Sequence, residues 1–160
     1  MRILFATPPV SRQDCYGDLE EAGSAAPALG LLLLAAVARD RGHEVAVLDG
    51  VAMQLDTATF RARLDAFGPD LLALSATTFT VAAAAATAGE ARALRPKLLT
   101  VVGGPHVSAA PLETMARFAA FDLAVVGEGE ATLTELLDLL AAERPVTEVA
   151  GLVVREDGTV

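Results

Sequence analysis

The stretch "LLALSATTFTVAAAAATAGEARALRPKLLTVV", Leu71 to Val102, contains two short apolar runs separated by an alanine-rich segment. Each run predicts a strand, over 71–76 and 98–102, because it is short, apolar and ends at turn-forming residues. The segment between them predicts a helix over 81–94, which Pro96 ends. Neither strand alternates apolar with polar residues, which is typical of a parallel sheet covered on both faces. The stretch therefore predicts a β-α-β unit.

The same alternation continues in both directions along the chain. Strands are predicted over 2–6, over 43–49 and within "FDLAVVGEGE" (121–130), and helices over 28–41, 57–67, 111–119 and through the leucines at 133, 136, 137 and 140. The closing "AGLVVREDGTV" predicts a strand followed by a hairpin-type turn. The predicted fold is α/β: a doubly wound, Rossmann-like (flavodoxin-like) parallel sheet of about five strands with helices on both faces, plus a C-terminal strand or hairpin.

Composition excludes several classes of partner. Twelve basic and twenty-one acidic residues give a net charge of −9, which opposes binding to nucleic acid or to anionic lipid. The longest apolar stretch, Ala25 to Ala38, is shorter than the roughly 20 residues that a bilayer requires, and it predicts a buried helix instead of a membrane span. Cys15 is the one cysteine, so no intramolecular disulfide can form and a reducing cytoplasm is the expected compartment.

Four loops follow predicted strands and should meet at one edge of the sheet. They are "TPP" (7–9), "SATT" (75–78), "GGPH" (103–106) and "GEGE" (127–130). In this fold class ligands bind outside the carboxyl ends of the strands. Glycines allow a ligand close to the backbone and hydroxyls offer neutral hydrogen bonds, but the loops do not combine a nucleophile, a base and an orienting acid. They predict a binding edge with no catalytic residue and no metal ligand.

The familiar ligands of this fold match these loops poorly. The segment "GEGEAT" follows the fifth strand and has Thr132 where a dinucleotide fingerprint requires its last glycine. A phosphate-binding P-loop is absent from the sequence, and a phospho-acceptor domain would need acids where Thr7, Pro8 and Ser75 stand. The chain has no Trp and one Tyr, which disfavours a flavin site.

Taken together, "TPP", "ALGLLLLAAVARDRGHEVAVLD", "SATT", "VVGGPH", "VVGEGEATLTELL" and "GLVVREDG" resemble the N-terminal cobalamin-binding domain of cobalamin-dependent radical SAM enzymes. The resemblance covers nearly the whole chain. It implies that the cofactor's nucleotide tail enters a pocket beside the sheet, where hydroxyls can bond its base or ribose and glycines leave room for the planar base. The matching tail-pocket residues are Ser75, Thr77, Gly103 and Gly104. The resemblance places further contacts to the tail or the corrin rim at Thr7, Pro8, Thr78, Pro105, His106, Gly127, Glu128, Gly129 and Glu130, with Pro105 turning the chain away.

Two departures limit what the resemblance implies. Cobalamin-dependent mutases and methionine synthase carry D-x-H-x-x-G after strand one, whereas this chain has "TPPVSRQDCYGDLEE" and no histidine there. In the radical SAM branch that the chain resembles, the lower face of cobalt is open, bound by water or approached by another side chain, for which Cys15 and Tyr16 are the candidates in that loop. A radical SAM enzyme also binds its [4Fe-4S] cluster through three cysteines. The cluster, S-adenosylmethionine and the radical SAM barrel are therefore expected outside this cobalamin-binding domain, beyond residue 160, with the barrel in cis or in trans and the chain a fragment of a longer enzyme.

The sequence is also compatible with other roles for several of these residues. Ser75 and Thr77 can cap the following helix as well as contact a ligand. His106 can pack on Pro105 as a loop residue, and Glu128 and Glu130 can serve as carboxylates at a helix start. For the whole chain the alternative is a noncatalytic docking or recognition module with a degenerate cofactor pocket.

Overall fold

A computed structural model describes residues 1–16, 18, 26–156 and 158–159, without the side chains of residues 15 and 16. Strands and helices alternate along the chain as predicted, with two further short helices, α1 and α5. The elements are β1 Arg2–Thr7, α1 Arg12–Tyr16, α2 Leu29–Asp40, β2 Glu44–Asp49, α3 Thr57–Phe67, β3 Leu71–Ser75, α4 Val81–Leu94, β4 Leu99–Gly103, α5 Pro105–Ala109, α6 Pro111–Arg117, β5 Leu123–Val125, α7 Gly129–Ala141 and β6 Leu152–Val154.

The strands form one sheet in the order β2-β1-β3-β4-β5-β6. The first five run parallel, and β6 pairs antiparallel with β5 through Val153 opposite Ala124. The chain starts in the middle, adds β2 on one side and then continues from β3 on the other, so the direction of winding reverses between β1 and β3. This is the doubly wound α/β fold that the sequence predicts, and its ligand position lies at the carboxyl ends of these central strands.

The sheet buries an apolar layer on each face. One layer, which we call the α2–α7 face, contains Phe5, Val101 and Leu133. The other, the α3–α4 face, contains Leu4, Val102 and the alanines of α4. Successive residues of a strand point to opposite faces, which is why Val101 and Val102 belong to different layers. The continuous apolar runs in the sequence are explained by this two-sided burial.

Helices α3 and α4 have the bounds that the sequence predicts. Helix α3 starts after Asp56, whose side chain accepts a hydrogen bond from the Thr59 amide at 2.6 Å. Neither Ser75 nor Thr77 caps α4, because its N-cap residue is Thr80, which makes no side-chain hydrogen bond to the helix. Its Oγ1 instead accepts from the Thr77 amide at 2.9 Å, so it closes the preceding turn.

Two other expectations need correction. Helix α2 is not buried all round: Leu31 is buried, whereas Leu29 is 67% exposed and Leu33 48% exposed. Pro105 does not simply turn the chain away, because it opens the short helix α5. A proline is well suited to a first helical position, where no amide donor is required.

The C-terminal strand, β6, lies at the sheet's edge. Glu156 and Thr159 form an isolated antiparallel bridge after β6, while Asp157 of the predicted turn lies outside the described residues. No helix in the described part of the chain has the length and apolarity needed to cross a membrane.

Candidate cofactor-binding site

A cavity of about 320 Å³ opens at the carboxyl edge of the sheet, on the α2–α7 face. Four strands form its floor, and helices α2 and α7 form its sides. Its lining residues are Phe5, Ala28, Gly30, Leu31, Leu34, Ala73, Leu74, Ser75, Val101, Gly103, Gly104, Pro105, Val125, Gly127, Glu128, Gly129, Glu130 and Leu133. The volume is at the small end of the roughly 300–1,000 Å³ that ligand pockets occupy. We call this space the α2–α7 cavity.

The structure brings together eight of the residues that the sequence singled out. Lining the cavity are Ser75, Gly103, Gly104, Pro105, Gly127, Glu128, Gly129 and Glu130. They come from three loops far apart in sequence, after β3, β4 and β5. Their convergence follows from the parallel sheet, since the carboxyl ends of neighbouring strands meet at one edge.

The two neighbouring glycines differ in what surrounds them. A Cβ on Gly103 would lie 3.6 Å from the carbonyl oxygen of Val125, which is an ordinary contact. A Cβ on Gly104 would lie 2.8 Å from the Ser75 Oγ and 2.9 Å from the Ala76 oxygen, and Gly104 also has a φ of +100°. Gly104 is therefore required by the close crossing of two loops of this chain, whereas Gly103 leaves space at the cavity.

Hydrogen bonds fasten the loops around the cavity to one another. The Ala76 amide donates to the Gly103 oxygen at 2.9 Å, and the His106 amide donates to the Ala76 oxygen at 3.3 Å. The Gly127 amide donates to the Ser108 hydroxyl at 3.0 Å. The loops after β3, β4 and β5 thus form one connected rim.

Thr7 and Pro8 lie beside this rim but do not line the cavity. Thr7 donates its hydroxyl to the Asp49 carboxylate at 2.7 Å, and that carboxylate also accepts from the amides of Ala28 at 2.8 Å and Ala52 at 3.0 Å. Asp49 is 8% exposed, so these are buried charge-assisted hydrogen bonds, the stronger class of such bonds. Asp49 was not predicted as a site residue, although its position at the end of a predicted strand is a usable signal.

Thr77, Thr78 and His106 are also not among the lining residues. The Thr77 hydroxyl lies 3.2 Å from that of Thr80, inside the turn before α4. The Thr78 hydroxyl lies 3.1 Å from the Nδ1 atom of His106. The first contact lies within the loop after β3, and the second joins that loop to the loop after β4. Contact of these side chains with a cofactor stays a prediction.

Glu128 and Glu130 stand at the mouth of the cavity. Glu128 is the N-cap residue of α7 without a side-chain cap bond, and Glu130 lies in the first helical turn. A carboxylate in that position is favourable because the helix N-terminus carries a partial positive charge. Their role at the helix start is thus physically sound, and it leaves their oxygens available to accept hydrogen bonds from a ligand.

The deep wall consists of apolar side chains that were not predicted as site residues, among them Phe5, Leu31, Leu34, Val101 and Leu133. In sequence they cannot be distinguished from ordinary core residues. Within the described residues, no three His, Cys, Asp or Glu side chains cluster as a metal site would require. The side chains of Cys15 and Tyr16, named as possible substitutes for the missing histidine, lie outside the described residues. The arrangement can hold a flat, largely apolar group against the sheet, with hydrogen-bonding groups at its mouth.

Comparison with solved structures supports the fold. The radical S-adenosylmethionine methyltransferase TsrM from Kitasatospora setae, solved with cobalamin and a [4Fe-4S] cluster bound, matches 98% of this chain over 29% of its own, with a TM-score of 0.76 and 22% identity. The cobalamin-dependent S-adenosylmethionine radical enzyme OxsB matches 99% of this chain over 21% of its own, with a TM-score of 0.67 and 18% identity. At these identities the likeness establishes the fold.

Comparison of sequences identifies the family. An uncharacterized methyltransferase, PH0819 of Pyrococcus horikoshii, is 34% identical over 160 residues, which is all of this chain and 34% of that protein. The chain thus spans about a third of the length of this relative. The model of the B12 binding domain matches residues 17–137, well over half of the chain. This chain is a member of the B12-binding domain family.

Proposed function

We propose that this chain binds cobalamin and holds the cofactor's nucleotide tail in the α2–α7 cavity, as the cobalamin-binding portion of a radical SAM methyltransferase. The single observation that carries the proposal is the cavity, which opens at the switch point of the sheet and is lined by residues of the GGPH and GEGE loops. No observation favours the alternative of a docking module with a degenerate pocket. A cytoplasmic location is part of the same proposal, on the ground that one cysteine needs no oxidising compartment.

The residues present fit the tail of a corrinoid. The buried apolar wall suits a benzimidazole ring that carries two methyl groups. Ser75 lines the cavity, so its hydroxyl can donate to the ring nitrogen or to the ribose. The carboxylates of Glu128 and Glu130 can accept from the corrin's amide side chains outside the cavity.

The chemical step belongs to other parts of the parent protein. Cobalamin, when bound, supplies a methyl group that can be passed to a substrate radical. This chain's residues bind the tail and orient the corrin, but its one cysteine cannot supply the three ligands of a [4Fe-4S] cluster. The cluster, S-adenosylmethionine and substrate therefore belong to the remaining part of the enzyme, in cis or in trans.

Retention of cobalamin by the purified chain tests the proposal. We expect the chain to keep about one hydroxocobalamin per molecule after desalting, as read from its visible spectrum. A spectrum without corrin absorbance, from a chain that is folded by circular dichroism, would contradict the proposal.

A variant at Gly103 tests the location of the tail. Gly103→Leu places a side chain on the cavity side of β4 with only ordinary contacts at its Cβ, and by overfilling the space it should weaken cobalamin binding at least about tenfold. Gly89→Leu is the matched control, since Gly89 lies in α4 on the opposite face and its added Cβ would be 3.9 Å from the Cβ of Ala120. Equal affinities of the two variants would show that the tail is elsewhere.

A further inference from the structure

The deep part of the α2–α7 cavity offers almost no hydrogen-bonding groups. Its wall includes Phe5, Leu31, Val101 and Leu133, each at most 4% exposed and therefore part of the core. A group that enters this part of the cavity leaves water and finds hydrocarbon on its sides. Polar atoms on such a group lose hydrogen bonds that the wall cannot replace.

The backbone of the strands that form the floor is also hydrogen-bonded, and the uncapped backbone amides near the cavity are those at the start of α7. Strands β3 and β4 pair in register along the floor, with Ala73 opposite Val101 and Ser75 opposite Gly103. The polar side chains that line the cavity are Ser75, Glu128 and Glu130, and the two glutamates stand at its mouth. Among the described side chains that line the cavity away from its mouth, that of Ser75 therefore has the one hydroxyl that can bond a base between the helices.

Corrinoids differ in the base that ends the nucleotide tail. A dimethylbenzimidazole displaced from cobalt has one free ring nitrogen, two methyl groups and no hydrogen-bond donor. An adenine in the same place has an amino group and additional ring nitrogens. One hydroxyl satisfies the first base completely, whereas it leaves several polar atoms of the second buried without partners, which is costly in binding.

We infer that this cavity selects the lower base of the corrinoid, accepting a benzimidazole and rejecting a purine. The inference rests on the proposed function, because it concerns the same cavity and the same cofactor. The selectivity comes from the apolar wall and not from steric exclusion, since the two bases have similar size. We expect cobalamin to bind at least about tenfold more tightly than its adenine-containing counterpart.

Three corrinoids titrated against the purified 160-residue chain test this inference. They are hydroxocobalamin, the corresponding corrinoid with an adenine base, and cobinamide, which has no base. Binding is followed by equilibrium dialysis and by the visible spectrum. We expect cobalamin to bind more tightly than the adenine corrinoid and also more tightly than cobinamide.

The outcomes separate the inference from the proposed function. Equal affinity for the two base-containing corrinoids overturns the selectivity while the proposed function stands. Equal affinity for cobalamin and cobinamide overturns the placement of the base in the cavity and the selectivity with it. Failure to retain any of the three overturns both proposals.

Two variants on one strand identify the source of the selectivity. Val101→Thr puts a hydroxyl into the cavity wall and should reduce the preference for cobalamin over the adenine corrinoid by about threefold or more. Val102→Thr makes the same change on the α3–α4 face, away from the cavity, and should leave the preference unchanged. If both variants keep the full preference, the apolar wall is not its cause. If Val101→Thr does not fold, the titrations of the unmodified chain still decide the inference.

Discussion

At the scale of single residues, the fold of the chain itself requires a glycine at position 104. Its φ of +100° and ψ of −177° are accessible almost only to glycine. The Ser75 Oγ and the Ala76 oxygen also lie within 3.0 Å of the position that a Cβ atom would take. Both observations concern the crossing of the β3 and β4 loops, so Gly104 determines the shape of the rim whether or not a ligand is bound.

Gly104→Ala is expected to destabilise the fold by at least about 2 kcal/mol, because it adds a clash to an unfavourable backbone conformation. Gly127→Ala is the matched control: Gly127 has a φ of +78° but no atom within 4 Å of an added Cβ. That change should cost only about 1 kcal/mol. Urea denaturation measures both, and equal losses would show that the clash at Gly104 is absent.

The two glycines also show what a sequence can tell about a site. The letters "GG" predict close approach at 103 and 104, but not which approach is made. The structure assigns space at the cavity to Gly103 and a backbone crossing to Gly104. That distinction depends on Ser75 and Ala76, which are distant in sequence, and therefore could not be read from the motif.

At the scale of elements, Asp49 connects the end of β2 to the start of α2. Its carboxylate accepts from the Ala28 amide, just before a helix whose residues form one side of the cavity. It also accepts from Thr7 at the end of β1 and from Ala52 in its own loop. Asp49 is therefore a positioning residue for the edge where the cavity opens.

Asp49→Ala leaves these donors without their acceptor and should lower the free energy of unfolding by about 1–3 kcal/mol. Asp40→Ala is the control, since Asp40 is an exposed residue at the end of α2 whose ion pair is with its neighbour Arg39, at 3.0 Å, and such pairs contribute little. Urea denaturation measures both. Asp49 would lose its assigned role if the two variants were equally stable.

The cap of α3 should make stability depend on pH. The hydrogen bond from the Thr59 amide lowers the pKa of Asp56 from its usual 3.8. The charged carboxylate therefore stabilises the folded state above that usual value, and the contribution is lost as the pH falls through the lower folded value. Asp56→Asn keeps an oxygen acceptor but removes the charge.

Wild type and Asp56→Asn should therefore differ more in free energy of unfolding at about pH 7 than at about pH 3. Urea denaturation at the two pH values tests this. The same difference at both would mean that the charge of Asp56 does not contribute to the cap.

Elements whose own residues show a clear apolar pattern could be predicted from the sequence. Short elements and the exposure of a helix, which depends on contacts with distant residues, could not. Helix α3 has an apolar stripe at Phe60, Leu64 and Phe67, and its predicted bounds are confirmed. Helix α5 was missed because its five residues follow a turn signal and are too few to show a period. The exposed leucines of α2 were predicted as buried, because composition does not reveal how many sides of a helix are covered.

At the scale of the whole molecule, the strand order explains why the binding edge was predicted correctly. The packing of helices explains why some predicted site residues do not line the cavity. A parallel doubly wound sheet brings the loops after β1, β3, β4 and β5 to one edge, which the sequence predicts from the alternation of elements alone. The division of that edge between two faces depends on helix packing. The cavity lies on the α2–α7 face, so Thr7, Pro8, Thr77, Thr78 and His106 share the edge without lining it.

The electron paramagnetic resonance spectrum of the chain loaded with cobalamin and reduced to Co(II) tests the central proposal most directly. A base held in the α2–α7 cavity cannot ligate cobalt, and the loop "TPPVSRQDCYGDLEE" contains no histidine to replace it. We therefore expect a Co(II) signal without the splitting that an axial nitrogen ligand produces. A signal split by nitrogen, or no corrinoid signal after desalting, would contradict the placement of the tail in the cavity.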